Sequence, residues 1–482
     1  MQMFYIINNE TVNILKLTNQ KTTLNRYFNI FVTNANHMYK KLFFAGLFFA
    51  GLFKSQTTNR MNLISDAVYY DGYAATVSDP VPAGLIRLGN TRYARKLTDA
   101  ELNSFKAKIA MRVSIGALCD NYDRLGSVYL AMVPKNQPTY TMNDANVKRI
   151  EVGRYITPFM SKNRTPNEVP YTYDLSNMYN VFHDAALRTS YDMYMELDVF
   201  GVPYAAQTQV AGCAGRIDVF SGNLTFFSTD TGATITDHNS IVPILTYKTL
   251  NNYNSTDVPG ETVRIVNFNL PSAVTNARFF VISTPHGANS GGEEYVRRQN
   301  YTYIDDVQML TYTPGGISCE PFRVYNTQGN GIYGAAVKSF AEWTSWNNWC
   351  PGNSVPIRGF SMPNLTAGNH TLKHTIPTAV FNQQQGDVYL SVYMQGKSSA
   401  VLDVKDIKTV DVSIYPNPTS DFVNIRSKSD VASVSVFSIE GKKLAETRGE
   451  NKINISTYPA GVYLLNIILK DGITFKHKII KK

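Results

Sequence analysis

Apolar and polar residues alternate with a period of two along most of the chain. In "SFKAKIAMRVSI", Phe105, Ala107, Ile109, Met111, Val113 and Ile115 share one face, while Lys106, Lys108, Arg112 and Ser114 share the other. Successive side chains of a strand point to opposite faces, so this pattern predicts a strand half-buried on a core. "YDMYMELDVF" repeats it: Tyr191, Met193, Met195, Leu197 and Val199 alternate with Asp192, Tyr194, Glu196 and Asp198. "ARFFVIST" (277–284) and "GDVYLSVYM" (386–394) predict further strands, with turn clusters such as "SGN", "TDTG" and "PGG" between segments. Only 99–106 reads as a helix. Many strands without βαβ alternation predict an all-β protein of sandwich or jelly-roll type. Residues 57–402 exceed what one β core fills, so two domains are expected, 57–230 and 231–400. The polar, unpatterned "TFFSTDTGATITDHN" (225–239) is the expected linker.

The two ends differ from this body. "MYKKLFFAGLFFAGLFKSQ" (38–56) has Lys40 and Lys41 before an apolar run from Leu42 to Phe53, the layout of a signal peptide and too short for a comfortable membrane span. Residues 1–37 then fall outside the expected mature protein. At the other end, "VSIYPNPTSDFVNI" (412–425) opens a segment that continues with "ASVSVFSIEGKKL" and "STYPAGVYLLNIILKDGITFKHKIIKK". Its alternation and its glycines at turns predict a small antiparallel sandwich over 405–482. Tyr415, Pro416, Asn417 and Pro418, then Gly441, then Gly461, Val462 and Tyr463, then Lys478 to Lys482 resemble the type IX secretion sorting domain of Bacteroidetes. The resemblance implies export to the cell surface or beyond, with the secretion machinery as a partner.

Charge narrows the function. The formal net charge is +9, yet residues 57–402 carry 27 basic and 27 acidic side chains. The excess lies in the ends, so the body has no net attraction for phosphate and nucleic acid is not an expected partner. The four cysteines form no CxxC, which argues against a zinc ribbon or a redox motif. In an oxidising compartment Cys319 and Cys350 are the preferred disulfide, whereas Cys119 and Cys213 are left open between a disulfide and free thiols.

No nucleophile elbow, phosphate loop or dinucleotide fingerprint is present. His370 and His374 lie in a strand-like stretch about 13 Å apart, too far for one metal, and no metal or cofactor is expected. What remains is carboxylates and aromatics. "LCDNYDRLGSVYLAMV" sets Asp120, Asp123 and Arg124 at the mouth of a strand. Glu196 shares a strand face with Asp192 and Asp198. "STPHGANSGGEEYVRRQNYTYIDD" gathers His286, Glu293, Glu294, Arg297 and Arg298, and "AEWTSWNNWCPG" holds Trp343, Trp346 and Trp349. Each group has an ordinary reading as a turn, a solvated loop or a sheet edge. Taken together in an exported chain, acids and exposed tryptophans suggest carbohydrate chemistry.

"CDNYDRLGSVYL", "RIEVGRYITPF", "YMELDVF", "IVPILTY", the "HG…GGEEY" block and "WCPG" resemble, in that order, the peptide-N-glycosidase F family. That resemblance implies two adjacent eight-stranded antiparallel jelly rolls with the site at their interface. It implies metal-free hydrolysis of the amide joining asparagine to the first N-acetylglucosamine of N-glycans on proteins or peptides. It places catalytic acids at Asp123, Glu196 and Glu294, and sugar-site residues at Arg124, Tyr295 and Trp349, with Trp346 and His286 beside them. Arg124 is expected to hold the Asp123 pKa low, and acid crowding to keep Glu196 or Glu294 protonated. The chain departs from the family pattern at Gly292 and Val296, where cysteines are expected, and at Trp346, where an arginine is expected. Two alternatives stay open: a non-catalytic glycan-binding protein, and a glycoside hydrolase using a carboxylate pair. A monomer is expected.

Overall fold

The computed structural model describes residues 58–230, 238–250, 262–287, 292–329, 332–345, 347–381, 386–398, 409–427, 429–470, 472 and 474–482. The expected leader (1–37), signal peptide (38–56) and Trp346 lie outside the described residues.

The first sandwich contains β1 (Asn59–Tyr70), β2 (Leu85–Gly89), β3 (Arg92–Lys96), β4 (Lys108–Ala117), β5 (Leu125–Pro134), β6 (Lys148–Ile156), β7 (Glu168–Asp174), β8 (Tyr191–Val199) and β9 (Asp218–Thr229). They form two antiparallel sheets, ordered β1-β9-β4-β7 and β2-β3-β8-β5-β6. Nine strands thus stand where eight were expected. Met111, Val113 and Ile115 of β4 meet Val128, Leu130, Met195 and Leu197 of the facing sheet in one core. This is the burial that the period-two pattern predicts. The expected linker is shorter than the sequence suggested. Residues 225–229 complete β9, because Phe226 and Ser228 point inward while Thr225 and Phe227 face outward. The expected helix forms as Asp99–Ser104, capped reciprocally by Thr98 and Glu101.

The second sandwich contains β10 (Ser240–Leu250), β11 (Thr262–Leu270), β12 (Val274–His286), β13 (Asn300–Ile304), β14 (Val307–Tyr312), β15 (Arg358–Leu365), β16 (Gly368–Ile376) and β17 (Asp387–Ser398). Its sheets are β10-β17-β12-β15 and β14-β13-β16-β11. The tail contributes β18 (Thr409–Tyr415), β19 (Phe422–Ser427), β20 (Val431–Ser438), β21 (Lys443–Arg448), β22 (Lys452–Asn454), β23 (Gly461–Leu469) and β24 (Thr474–Lys481). There β18-β19-β22 packs on β21-β20-β23-β24 around Val412, Ile425, Val436 and Leu465. β18 also pairs with β11, so a seven-stranded sheet runs from the second sandwich into the tail.

The seam between the two large sandwiches is polar at its centre. Arg154 of β6 is fully buried and donates to Glu151 at 2.7 Å through both Nε and Nη2. Its Nη1 crosses to Thr284 Oγ1 at 2.9 Å and to the Tyr389 carbonyl at 2.7 Å. Ser391 donates to Glu151 from the same side. A buried ion pair is tolerated only when its remaining hydrogen-bonding capacity is met, and here the second sandwich meets it.

Candidate active site

The first wall is the turn between β4 and β5. A disulfide joins Cys119 to Cys213, fastening the turn to the 211–215 loop. Asp120 is buried and accepts from the Val202 amide (2.7 Å), the Tyr122 amide (2.9 Å) and Arg124 Nε (2.6 Å). Thr157, from "RYITPF", brackets the turn: its hydroxyl accepts from the Arg124 amide at 2.7 Å and its amide donates to the Arg124 carbonyl at 2.8 Å. Arg124 is therefore committed to Asp120, and its guanidinium lies over the exposed Tyr122 ring.

That commitment corrects the expectation for Asp123. Burial raises its pKa most, the Glu294 charge raises it further, and Arg124 only partly opposes them; the result is about 8. A carboxyl in such a place holds its proton at neutral pH.

The second wall follows β12. Glu294 Oε2 accepts from the Gly287 amide at 3.0 Å, and the Tyr295 side chain hydrogen-bonds the same carboxyl. Burial still raises the Glu294 pKa, against both of those bonds. Asn348 holds the loop: its Nδ2 donates to the carbonyls of Glu293 (3.0 Å), Glu294 (2.7 Å) and Val296 (3.1 Å). Glu293 is a scaffold acid, paired with Arg298 at 2.9 Å and accepting from the Val380 amide. A loop with Gly292 and Val296 in place of cysteines is thus fixed by an amide clamp. The motif "GGEEY" gave no sign of this; the clamp is read only from the fold.

The tryptophans separate. Trp349 is half-buried and donates through Nε1 to the Pro285 carbonyl at 2.8 Å. Beneath it the expected disulfide Cys319–Cys350 is formed. Trp343, expected to be exposed, is fully buried and donates to Glu320 at 2.9 Å, as a core side chain of that loop. His286 sits with its ring 5.5 Å from both Trp349 and Tyr389. Burial, aided by Arg154, drives its pKa down to about 3, so it is neutral; its buried Nε2 meets no hydrogen-bond partner among the described residues.

Glu196 lies elsewhere. It pairs with Tyr129 across β8 and β5, four residues (roughly 13 Å) up the strand from Leu125 and further still from Asp123. The acid crowding expected around it is replaced by cations. Arg149 Nε lies 2.9 Å away, Arg92 Nη1 3.2 Å away, and the Tyr140 hydroxyl donates at 3.0 Å. Asp192 has Lys96 and Lys135, and Asp198 shares Arg92. The alternation in "YDMYMELDVF" is real, but its polar face is buried and ion-paired rather than solvated. The structure thus brings Asp123 to Glu294 with Tyr295, Trp349 and His286 around Glu294, and leaves Glu196 in the sheet.

Comparisons with known proteins bear on this pair. A family model described as "Peptide-N-glycosidase F, N terminal" matches residues 61–214, and "Peptide-N-glycosidase F, C terminal" matches 252–395. The chain carries both domains of the peptide-N-glycosidase F family. Asp123 belongs to the first of these domains and Glu294 to the second. A solved structure of PNGF-II is 18% identical with a TM-score of 0.53, over 71% of this chain and 66% of that one. The match therefore spans just under two thirds of PNGF-II, and at this identity it speaks to the fold alone. The structure of PNGase F, a glycosylasparaginase from Flavobacterium meningosepticum, aligns at 15% identity and a TM-score of 0.47, over 73% of this chain and 99% of that one. No curated protein matches at a significant level. Residues 413–482 match a secretion system C-terminal sorting domain, which marks the chain for type IX secretion to the cell surface or outside. Mostly antiparallel sheets packed as sandwiches are what the peptide-N-glycosidase F fold provides.

Proposed function

We propose that the protein is an amidase that hydrolyses the bond between asparagine and the first N-acetylglucosamine of N-linked glycans. The observation that carries the reading is the Asp123–Glu294 pair. Each acid comes from a different peptide-N-glycosidase F domain, and they sit close enough for one charge to raise the other's pKa. Two such carboxyls share one proton near neutrality. The Gly287 amide and Tyr295 side chain favour the anion of Glu294, so the proton resides on Asp123.

In this mechanism Glu294 takes a proton from water as its oxygen attacks the amide carbonyl carbon. The C–N bond then breaks, and Asp123 delivers its proton to the departing sugar nitrogen. The peptide leaves as aspartate and the glycan as its 1-amine; the Glu294 proton restores Asp123. Tyr295, Trp349, His286 and Arg124 line the sugar–asparagine linkage. Glu196 acts from a distance, by fixing Arg92 and Arg149.

Incubating the purified chain with an N-glycopeptide and weighing the products tests this. Conversion of Asn to Asp is the expected outcome. A peptide that keeps one sugar means a glycoside hydrolase, and an intact, bound glycopeptide means a binding protein; either sinks the amidase reading.

A further inference from the structure

Residues 154–161 of the first sandwich run beside the second. Their start is paired by backbone. The Val355 and Gly352 amides donate to the carbonyls of Arg154 (2.7 Å) and Ile156 (3.0 Å), and the Ile156 amide donates to the Asn353 carbonyl (3.0 Å). Thr157 then grips the turn that carries Asp123: besides its two bonds with Arg124, its hydroxyl donates to the Tyr122 carbonyl at 3.1 Å. Phe159 sets its ring edge-on to Tyr122, with centroids 5.5 Å apart. Phe159 is thus tied to the Asp123 turn twice, by its ring and through Thr157.

The backbone of Phe159 is held by a side chain from the other sandwich. Asn326 follows the 3₁₀ helix Glu320–Tyr325, which the Cys319–Cys350 disulfide anchors. Its Oδ1 accepts from the Phe159 amide at 2.9 Å, and the Gln328 amide donates to the Phe159 carbonyl at 2.8 Å. Between them, Thr327 Oγ1 accepts from the Ser161 amide at 3.2 Å, and Arg164 donates to the Thr327 carbonyl. Asn326 Nδ2 spends both protons on its own side, on the carbonyls of Phe322 (2.8 Å) and Pro351 (3.0 Å). Pro351 follows closely on Trp349 and on Asn348, the clamp of the Glu294 loop. One amide thus bonds a neighbour of each acid-bearing wall. Holding the sandwiches together does not require it, because Arg154 and the 352–355 pairing already join them.

We propose that Asn326 is a positioning residue: it sets the separation of Asp123 from Glu294 across the seam, and so the geometry in which the two acids act on one amide. Its part in a reaction rests on the amidase reading; its control of the separation does not. Of the charged groups that act on Asp123, namely Glu294, Arg124 and Asp120, Glu294 alone comes from the second sandwich. A change of separation therefore shows in the titration of Asp123, which reports the geometry without any turnover. In the reaction, a misplacement of about 1 Å costs as much as 10²-fold in rate.

The test uses Asn326→Ala, with Thr327→Val as a milder variant that keeps the side-chain shape and removes the bond from the Ser161 amide. In Asn326→Ala, kcat on an N-glycopeptide should fall roughly 10–100-fold while KM stays within about twofold. The alkaline limb of kcat/KM should move to lower pH. By carbon-13 NMR of the free protein, the Asp123 carboxyl should titrate at a pH lower by about 0.5 or more, and in a Glu294→Gln background the same substitution should move it by less than about half as much. Thr327→Val should lower kcat about threefold and move the titration the same way, and it carries the test if Asn326→Ala does not fold. Variants that unfold at a lower midpoint yet keep the wild-type kcat and Asp123 titration overturn the positioning role. A wild type that cleaves no N-glycopeptide, with an Asp123 titration that still moves in Asn326→Ala, overturns the amidase reading and leaves the control of the separation standing.

Discussion

A carboxyl that keeps its proton to about pH 8 changes both rate and stability with pH, and Asp123 is such a group. Its folded pKa lies above its unfolded one, so between about pH 4 and pH 8 folding takes up a proton, and this group's contribution to stability falls as pH rises through that window. Replacing Asp123 by Asn removes the penalty. The variant should lose activity by roughly 10²–10⁴. It should also be more stable than wild type by about 1–3 kcal/mol above pH 8, a value discounted for the solvent that reaches the half-buried side chain, with the gain vanishing below pH 4. Thermal unfolding at pH 3.5 and 8.5 reads this directly; a variant less stable at pH 8.5 would remove the case for a buried, protonated acid. In the wild type, kcat/KM should fall above about pH 8 as Asp123 loses its proton, and Glu294→Gln, which removes the neighbouring charge but not the burial, should move that limb to lower pH and remove most of the rate. At this scale the sequence named the acids but misjudged their surroundings. "CDNYDR" places Arg124 next to Asp123 in the chain, while the turn gives it to Asp120. Spacing along a sequence does not say which neighbour a long side chain reaches.

At the scale of elements, period two was a dependable guide to strands and a poor one to what covers them. β8 was legible as a strand from "YDMYMELDVF", but the burial of its polar face depends on Arg92, Lys96, Lys135 and Arg149, which come from other strands and their ends. The 225–229 stretch looked like a linker because Thr225, Ser228 and Thr229 dilute its apolar pattern, though Phe226 and Ser228 point into the core while Thr225, Phe227 and Thr229 face outward. Asn348 shows the same limit, since nothing in "WNNWCPG" indicates that one of its two asparagines clamps another loop. The cysteines give a prediction here. Cys119–Cys213 spans 94 residues and fastens the turn that carries Asp123. Replacing both by serine should cost about 4.7 kcal/mol on the chain-entropy model, seen as a lower denaturation midpoint. Because the turn loosens, kcat should fall by more than the unfolded fraction explains. A variant that keeps full kcat where it is fully folded would mean that Asp120 and Thr157 hold the turn unaided.

On the scale of the molecule, two joints decide the behaviour, and they are built differently. The seam between the large sandwiches is closed by a fully buried arginine whose partners come from both sides, so Arg154→Met, which strands Glu151, should destabilise by about 3–5 kcal/mol. The joint to the tail is light by comparison. β18 pairs with the β11 edge from Ile265–Val412 to Phe268–Thr409, and a groove of about 540 Å³ bordered by Tyr303, Lys373, Tyr415 and His477 lies beside that pairing. A four-residue edge pairing beside such a groove owes its occupancy to the covalent link between tail and body, which supplies an effective concentration on the order of millimolar. Cutting the chain at a protease site placed within 399–408 should therefore release the tail at micromolar concentration without unfolding the body. On gel filtration the two fragments should separate, and hydrogen exchange at the Ile265–Phe268 amides should accelerate at least tenfold while β12 and β17 stay protected. Co-elution of the fragments with unchanged exchange would show that the sheet shared by β11 and β18 binds without its tether. The tail would then have to be pulled from an edge strand rather than simply cut away, and the exposed β11 edge, a template for pairing with other chains, would be covered throughout export.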